Sequence, residues 1–254
     1  MSDWGKAAKN NSIGFGQGSV NNNINWGKSQ KDSSVAANWA GETDISGGSA
    51  TPPPPPPPTI PQIDNLYSMQ FDGIYDYIEI SNPIEITGDF TISAWIYPTR
   101  GNVGHEMIYT PSSTRVGNSV YPYFAIRDTR LQVSIVGGYE TGLNFINVNQ
   151  WQHVAVTRTS GVINLYKNGV EYIGTRPIQN GTLHKDTSAF IGRYTLSSNA
   201  YAFQGNIDEV AVYNISLTEE KLLNIYNATA VVDGVKKTAD LSQLTTPPIA
   251  WYRM

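Results

Sequence analysis

The chain has 254 residues, a formal net charge of -4, 15% charged residues and no cysteine, a size that fits one substantial domain with additions. Without cysteine there is no disulfide framework, thiolate zinc site or cysteine nucleophile. The 17 Lys and Arg residues are scattered without a basic run, which argues against a nucleic-acid partner. No stretch approaches the roughly 18 apolar residues of a spanning helix, and the first six residues lack the apolar core of a signal peptide, so no membrane insertion is expected and synthesis in a cytoplasm is.

Residues 1–50 are rich in Asn, Gly, Ser and Lys, with isolated aromatics at a fixed spacing. Trp4-Gly5, Phe15-Gly16 and Trp26-Gly27 recur in register, Asn10-Asn11-Ser12-Ile13 aligns with Asn21-Asn22-Asn23-Ile24, and Trp39-Ala40-Gly41 follows slightly out of phase. One aromatic and one Ile per unit cannot build a private core. By composition the segment is a low-complexity tail. The regular spacing supports a second reading, a docking segment that offers Trp4, Phe15, Trp26 and Trp39 to a partner surface and orders on binding.

Residues 51–62 hold an unbroken proline run at 52–58 and a further Pro61. Such a run adopts polyproline II and makes a stiff spacer of about 20 Å. A docking ligand for a proline-recognition domain is the other use of such a run, but no other feature of the chain points to that partner.

From residue 63 to 230 short alternating segments rich in Ile, Val, Tyr, Phe and Thr are divided by Gly, Asn, Asp and Pro. Strands are predicted at 67–71, 75–80, 90–97, 106–109, 123–126, 131–136, 151–158, 163–167, 171–174, 189–192 and 206–213. In the third of these, Ile92, Ala94 and Ile96 fall on one face and Thr91, Ser93, Trp95 and Tyr97 on the other. Asn168-Gly169 between two such segments predicts a type I′ hairpin, because both central residues need positive φ. A single helix is predicted over 217–226, with Ser216 or Thr218 as N-cap and Leu222, Leu223, Ile225 and Tyr226 on its apolar side. Many short strands and one helix predict an all-β sandwich. Residues 231–254 read as a C-terminal tail, polar and irregular over 231–244 and ending in an aromatic strand whose Trp251 and Tyr252 pack on the sandwich edge or between subunits.

Four segments, Met69-Gln70-Phe71-Asp72-Gly73, Phe90-Thr91-Ile92-Ser93-Ala94-Trp95, Trp151-Gln152-His153-Val154-Ala155-Val156 and Gln204-Gly205-Asn206-Ile207-Asp208-Glu209, together with the hairpin after the third and the helix after the fourth, resemble the laminin G-like, concanavalin A-type jelly roll. The resemblance spans residues 66–228 and implies a β-sandwich whose usual ligand is a glycan. It also implies a calcium ion at the sandwich rim, for which Asp72 and Asp208 match best and Asp76 stands in reserve. The same carboxylates also read as a turn residue and a side-chain to backbone bond. For the glycan, the candidates are the aromatics and planar polar groups assigned to rim loops: Tyr109, Arg115, Tyr121, Tyr139, Arg193, Tyr194 and Tyr201.

The repeat over 4–27, the segment 39–45 and the ending Ala250-Trp251-Tyr252-Arg253-Met254 resemble segments of tail and surface proteins of tailed bacteriophages. This second resemblance implies that the first 50 residues anchor the chain to capsid or tail proteins. The product would then be a head-fibre or tail-associated protein on the virion surface, made in the bacterial host cytoplasm, and a homo-oligomer, by analogy a trimer.

Catalysis is not expected. Glycan hydrolysis needs two facing carboxyls, whereas regular strand alternation sends Asp208 and Glu209 to opposite faces, and likewise Asp76 and Glu79. His105, His153 and His184 lack a metalloprotease spacing and no Gly-x-Ser-x-Gly elbow is present. His153, flanked by Val154, Ala155 and Val156, reads as structural. Three functions follow in order: a non-enzymatic glycan-binding virion protein, a purely structural capsid decoration or assembly protein, and, remotely, a glycan-degrading enzyme.

Overall fold

A computed structural model describes residues 60–101, 103–111, 123–135, 137–175, 177–179, 188–194 and 201–254. The N-terminal repeat with Trp4, Phe15, Trp26 and Trp39, the proline run, Arg115 and Tyr121 lie outside the described residues.

The first sheet is antiparallel. Its central strands are β4 (Phe90–Pro98), β9 (Gln152–Thr159), β10 (Val162–Lys167) and β13 (Gln204–Tyr213), with β11 (Val170–Glu171) at one edge. At the other edge two short strands share the length of β13 end to end. They are β2 (Met69–Asp72), opposite Gln204 to Ile207, and β16 (Ala250–Tyr252), opposite Val210 to Val212. The second sheet runs in the order β3 (Ile78–Ser81), β12 (Ser188–Ile191), β5 (His105–Thr110), β6 (Tyr123–Arg127), β7 (Arg130–Ser134) and β8 (Gly138–Glu140).

Alternation explains the main core. Phe90, Ile92, Ala94 and Ile96 of β4 and Val154 and Val156 of β9 meet Phe124 and Ile126 of β6 and Leu131 and Val133 of β7. Two antiparallel sheets each present one apolar face and bury it against the other. Each of these side chains larger than Ala94, fully buried, contributes about 1.5–3 kcal/mol.

Trp95 points away from that core, as its strand position predicts. Tyr226 of α1 (Glu219–Asn227) stacks on it at 5.7 Å and 27°, and the His153 ring lies at 5.5 Å. Thr218 is the N-cap, accepting from the Lys221 N–H at 3.3 Å. Leu222 and Ile225 of the helix join Ala155, Tyr166, Ala211 and Tyr213 in a second apolar cluster on the outer side of the first sheet. The helix therefore covers that sheet, and it is the single α-helix among the described residues.

Residues 231–244, expected to be irregular, hold a hairpin as far as Ala239 and a short 3-10 helix over Leu241–Gln243. β14 (Ala230–Val232) turns through Asp233 and Gly234 into β15 (Val235–Ala239), which also pairs with β1 (Gln62–Asp64). Asp233 at φ 50° and Gly234 at φ 80° supply the two positive φ values of the turn. The predicted strand at 75–80 starts later, at Ile78, because Tyr75 and Asp76 are held in a turn by Asp72.

Candidate functional site

The outer face of the second sheet holds a cluster of described aromatics with one exposed member, Tyr201. On β6, Phe124 and Ile126 point into the core, so Tyr123, Ala125 and Arg127 point out. Across the strand pairs, His105 stands opposite Arg127, Met107 opposite Ala125, and Tyr123 opposite Ser134. Tyr194, just after β12, and Tyr201, just before β13, come to the same place.

The four rings form a closed cycle. Centroid separations are 5.7 Å from His105 to Tyr123, 6.1 Å from Tyr123 to Tyr194, 5.6 Å from Tyr194 to Tyr201 and 5.1 Å from Tyr201 back to His105. Successive ring planes turn by 81°, 69°, 85° and 70° in the same order. Tyr201 is 44% exposed, Tyr123 is buried, and Met107 and Ala125 pack beneath with Tyr194. Burial, then the neighbouring Arg127 guanidinium, lowers the basicity of His105, so its imidazole is mainly neutral at pH 7. Burial also pushes the Tyr123 hydroxyl up to about 12. Beside the cycle, Arg127 and Gln132 both donate to Glu140, each at 3.3 Å.

Of the residues expected to bind a glycan, Tyr194 and Tyr201 are brought together here. Tyr109 is not a rim aromatic. It is 2% exposed, because a register shift between Met107 and Tyr109 turns both Ile108 and Tyr109 into the core. Arg193 is buried, with its guanidinium 4.6 Å from the centre of the Tyr77 ring. Tyr139 is half-buried on β8 against the main core. His105 and Tyr123 were missed, since cross-strand pairing brings them together and neither has a local signature.

The carboxylates assigned to calcium do not gather. Asp72 stands opposite Gln204, four residues from Asp208 on β13, which is about 13 Å at the rise of a strand. Its Oδ1 accepts the backbone N–H groups of Ile74, Tyr75 and Asp76 at 2.7, 2.8 and 3.1 Å, and Asp76 Oδ2 accepts the Asp72 N–H at 2.9 Å. These bonds hold the Asp72 carboxyl below its usual range and make it a turn residue. Among the described residues no three carboxylate or imidazole groups converge as metal ligands, so Asp72, Asp76 and Asp208 do not fit one calcium site.

Asp208 and Glu209 depart from the alternation expected of them. The pairing of β13 with β4 slips between Asp208 and Ala211, and Glu209 has φ 53°. This bulge sets both carboxylates against the C-terminal segment. Trp251 Nε1 donates to Glu209 Oε2, Arg253 Nε lies 3.4 Å from Glu209 Oε1, and the Met254 N–H donates to Asp208 Oδ1 at 3.2 Å. Burial, then repulsion from Asp208, pushes the Glu209 carboxyl up to about 7.

Solved structures share this architecture. A protein from Bacteroides ovatus, provisionally assigned as carbohydrate-binding, superposes with a TM-score of 0.52 at 20% identity, over 70% of this chain and 51% of its own. The chain therefore spans about half the length of that protein. The native heptameric SAP-like pentraxin from Limulus polyphemus superposes with a TM-score of 0.51 at 14% identity, over 69% of this chain and 96% of its own. At these identities the likeness is one of fold. No curated protein sequence matches the chain. The profile of the concanavalin A-like lectin/glucanases superfamily matches residues 72–222, more than half of the chain, and the chain belongs to that superfamily.

Proposed function

We propose that the chain is a non-enzymatic virion surface protein whose concanavalin A-like head binds carbohydrate through the outer face of its second sheet. In this reading residues 1–50 anchor it to capsid or tail proteins, residues 51–62 act as a spacer, and oligomeric display, as a trimer by analogy, multiplies weak single-site affinity. The observation that carries the reading is the four-ring aromatic cycle with the exposed Tyr201 at its rim. Tyrosine rings stack on the apolar CH faces of sugars, and Arg127, Gln132 and Glu140 beside them offer the polar contacts that fix orientation. The description of the Bacteroides ovatus relative as carbohydrate-binding supports the same ligand class. A non-enzymatic role is supported by the engagement of the Asp208 and Glu209 carboxylates with Met254, Trp251 and Arg253, which leaves them poorly placed for acid and base work on a ligand.

The test is a glycan array probed with the multivalently displayed protein and with a Tyr201→Ala variant. Selective binding that falls at least about fivefold in the variant is expected, and chelation of divalent cations is expected to leave it unchanged. Silence across a broad array from folded protein would replace this reading with that of a structural decoration protein.

A further inference from the structure

Edge strands invite pairing with another chain, and most edges of the two sandwich sheets carry a charge or a cap against it. β3 holds Glu79, β8 holds Glu140, β16 runs directly into Arg253, and in β11 the Glu171 N–H donates to Glu219 Oε1 of α1 at 3.0 Å. β2 has no such guard. From Asn65 to Phe71 the chain holds no charge, no proline and no glycine, the composition that favours adding a strand.

The backbone of β2 is turned outward for this. The Thr99 N–H donates to the Gln204 carbonyl, so Gln204 and Asn206 direct their peptide groups to β4, and Gly205 and Ile207 direct theirs to Phe71 and Met69 of β2. The N–H and C=O of Gln70, between those two, therefore point out of the sheet, and no described strand lies on that side. The Asp72 N–H points the same way and is met by Asp76 Oδ2 at 2.9 Å, so pairing stops at Asp72. The side chains make the same offer. Leu66, Tyr67, Met69, Ile74 and Tyr75 are 43–78% exposed, together on the order of 600 Å² of accessible surface, against the roughly 800 Å² per partner of a stable interface.

We propose that β2 pairs with β2 of a second copy, antiparallel about a two-fold axis at Gln70, and so joins the first sheets of two heads into one. A second copy is the occupant because this register is self-complementary. The Gln70 N–H and C=O bond to those of the partner's Gln70, and Met69 faces the partner's Phe71. Asp72 faces the partner's Ser68, whose hydroxyl accepts from Asn206 within its own copy and keeps its proton to donate. An axis at Asp72 would instead set two carboxylates opposite each other, which is unfavourable. Beyond the paired residues the axis at Gln70 brings the partner's Leu66 and Tyr67 towards Ile74 and Tyr75. The contact lies on the first sheet, away from the aromatic cluster of the second, and being two-fold it doubles whatever assembly the rest of the chain forms.

The test is sedimentation of the full-length protein at about 0.1 mM, where a contact of this size is populated. The mass should halve in Gln70→Pro, which removes an N–H that a single copy does not use. It should halve again from the wild-type value in Tyr67→Lys, a change at a side chain 78% exposed, and this variant decides the matter if the proline variant melts more than a few degrees below wild type. Because the chain has no cysteine, Gln70→Cys reports the contact directly. Cα atoms facing each other in a hydrogen-bonded pair lie about 5.5 Å apart, within disulfide range. Under mild oxidation Gln70→Cys should form an intermolecular disulfide at least about tenfold faster than Val231→Cys, which is exposed on β14. A mass that neither folded variant changes, or Gln70→Cys linking no faster than Val231→Cys, overturns the inference.

Discussion

At the scale of single residues, His153 on β9 and Glu209 on β13 are both buried ionisable groups, and their burial acts on stability with opposite sign. Burial lowers the His153 imidazole from its usual 6.5 to about 4, so the folded protein binds this proton less readily than the unfolded chain. Its contribution is present above pH 6.5 and is lost as the pH falls towards 4, by roughly 3 kcal/mol. Glu209 is raised from 4.5 to about 7, so its contribution is present below pH 4.5 and is lost as the pH rises through 7. The groups facing Glu209 are Asp208, which repels it, and Arg253 and Trp251, which favour its charged form; none of these contacts reverses the sign set by burial. The two dependences oppose each other between pH 4.5 and 6.5, and the wild-type protein should show a shallow profile there. Denaturant unfolding at half-unit steps from pH 4 to 8 checks this. Glu209→Gln should expose a stability that climbs with pH from 4 to 6.5 and then levels. His153→Phe should expose one that declines from 4.5 to 7. Profiles parallel to wild type in both variants would show that neither group titrates as its burial requires.

At the scale of elements, the tip of the β10–β11 hairpin is closed against the helix. Gly169 has φ 80°, and a Cβ there would meet Leu223 Cα of α1 at 2.4 Å. The position therefore needs glycine twice, for its backbone and for the approach of the helix. Gly169→Ala should cost about 2 kcal/mol or more, read as a fall in the denaturation midpoint. Gly88→Ala, where nothing lies within 4 Å and no positive φ is required, should stay within about 0.5 kcal/mol of wild type. That hairpin was legible because Asn168-Gly169 sits between strongly alternating segments. Asp233-Gly234 carries the same signature, but its flanks, Val231-Val232 and Val235-Lys236-Lys237, do not alternate clearly and they read as irregular chain. Strand faces were legible wherever the period of two is unbroken, as along β4. They were illegible at bulges, and this one cause misplaced Tyr109 and misassigned Asp208 and Glu209 to opposite faces. Tyr194 and Tyr201 stood out in the sequence as aromatics assigned to rim loops, whereas His105 and Tyr123 join them only through the β5–β6 register, a long-range pairing without a local signal.

At the scale of the whole molecule, the proposed division into anchor, spacer and head makes a claim about where the head can be severed. The head does not begin at its first strand. Ile60 packs against the second apolar cluster and the Asp240 N–H donates to the Pro61 carbonyl at 2.7 Å, so a cut at Gln62 would strip contacts that hold β15 and the turn after it. A cut that starts the chain at Thr59 keeps both. If the aromatic repeat is the attachment element, this shortened chain should melt within a few degrees of the full-length protein and retain the single-site affinity of its aromatic face, because none of the residues of that face is removed. It should no longer be incorporated into particles when supplied during assembly, and its retention on a multivalent surface should fall by one to two orders of magnitude or more as display is lost. Quantifying the shortened and full-length proteins in purified particles separates these effects. Incorporation at normal levels would place the attachment surface on the sandwich itself, and the exposed apolar residues Leu66, Tyr67, Ile74 and Tyr75 around β2 would be the first surface to mutate.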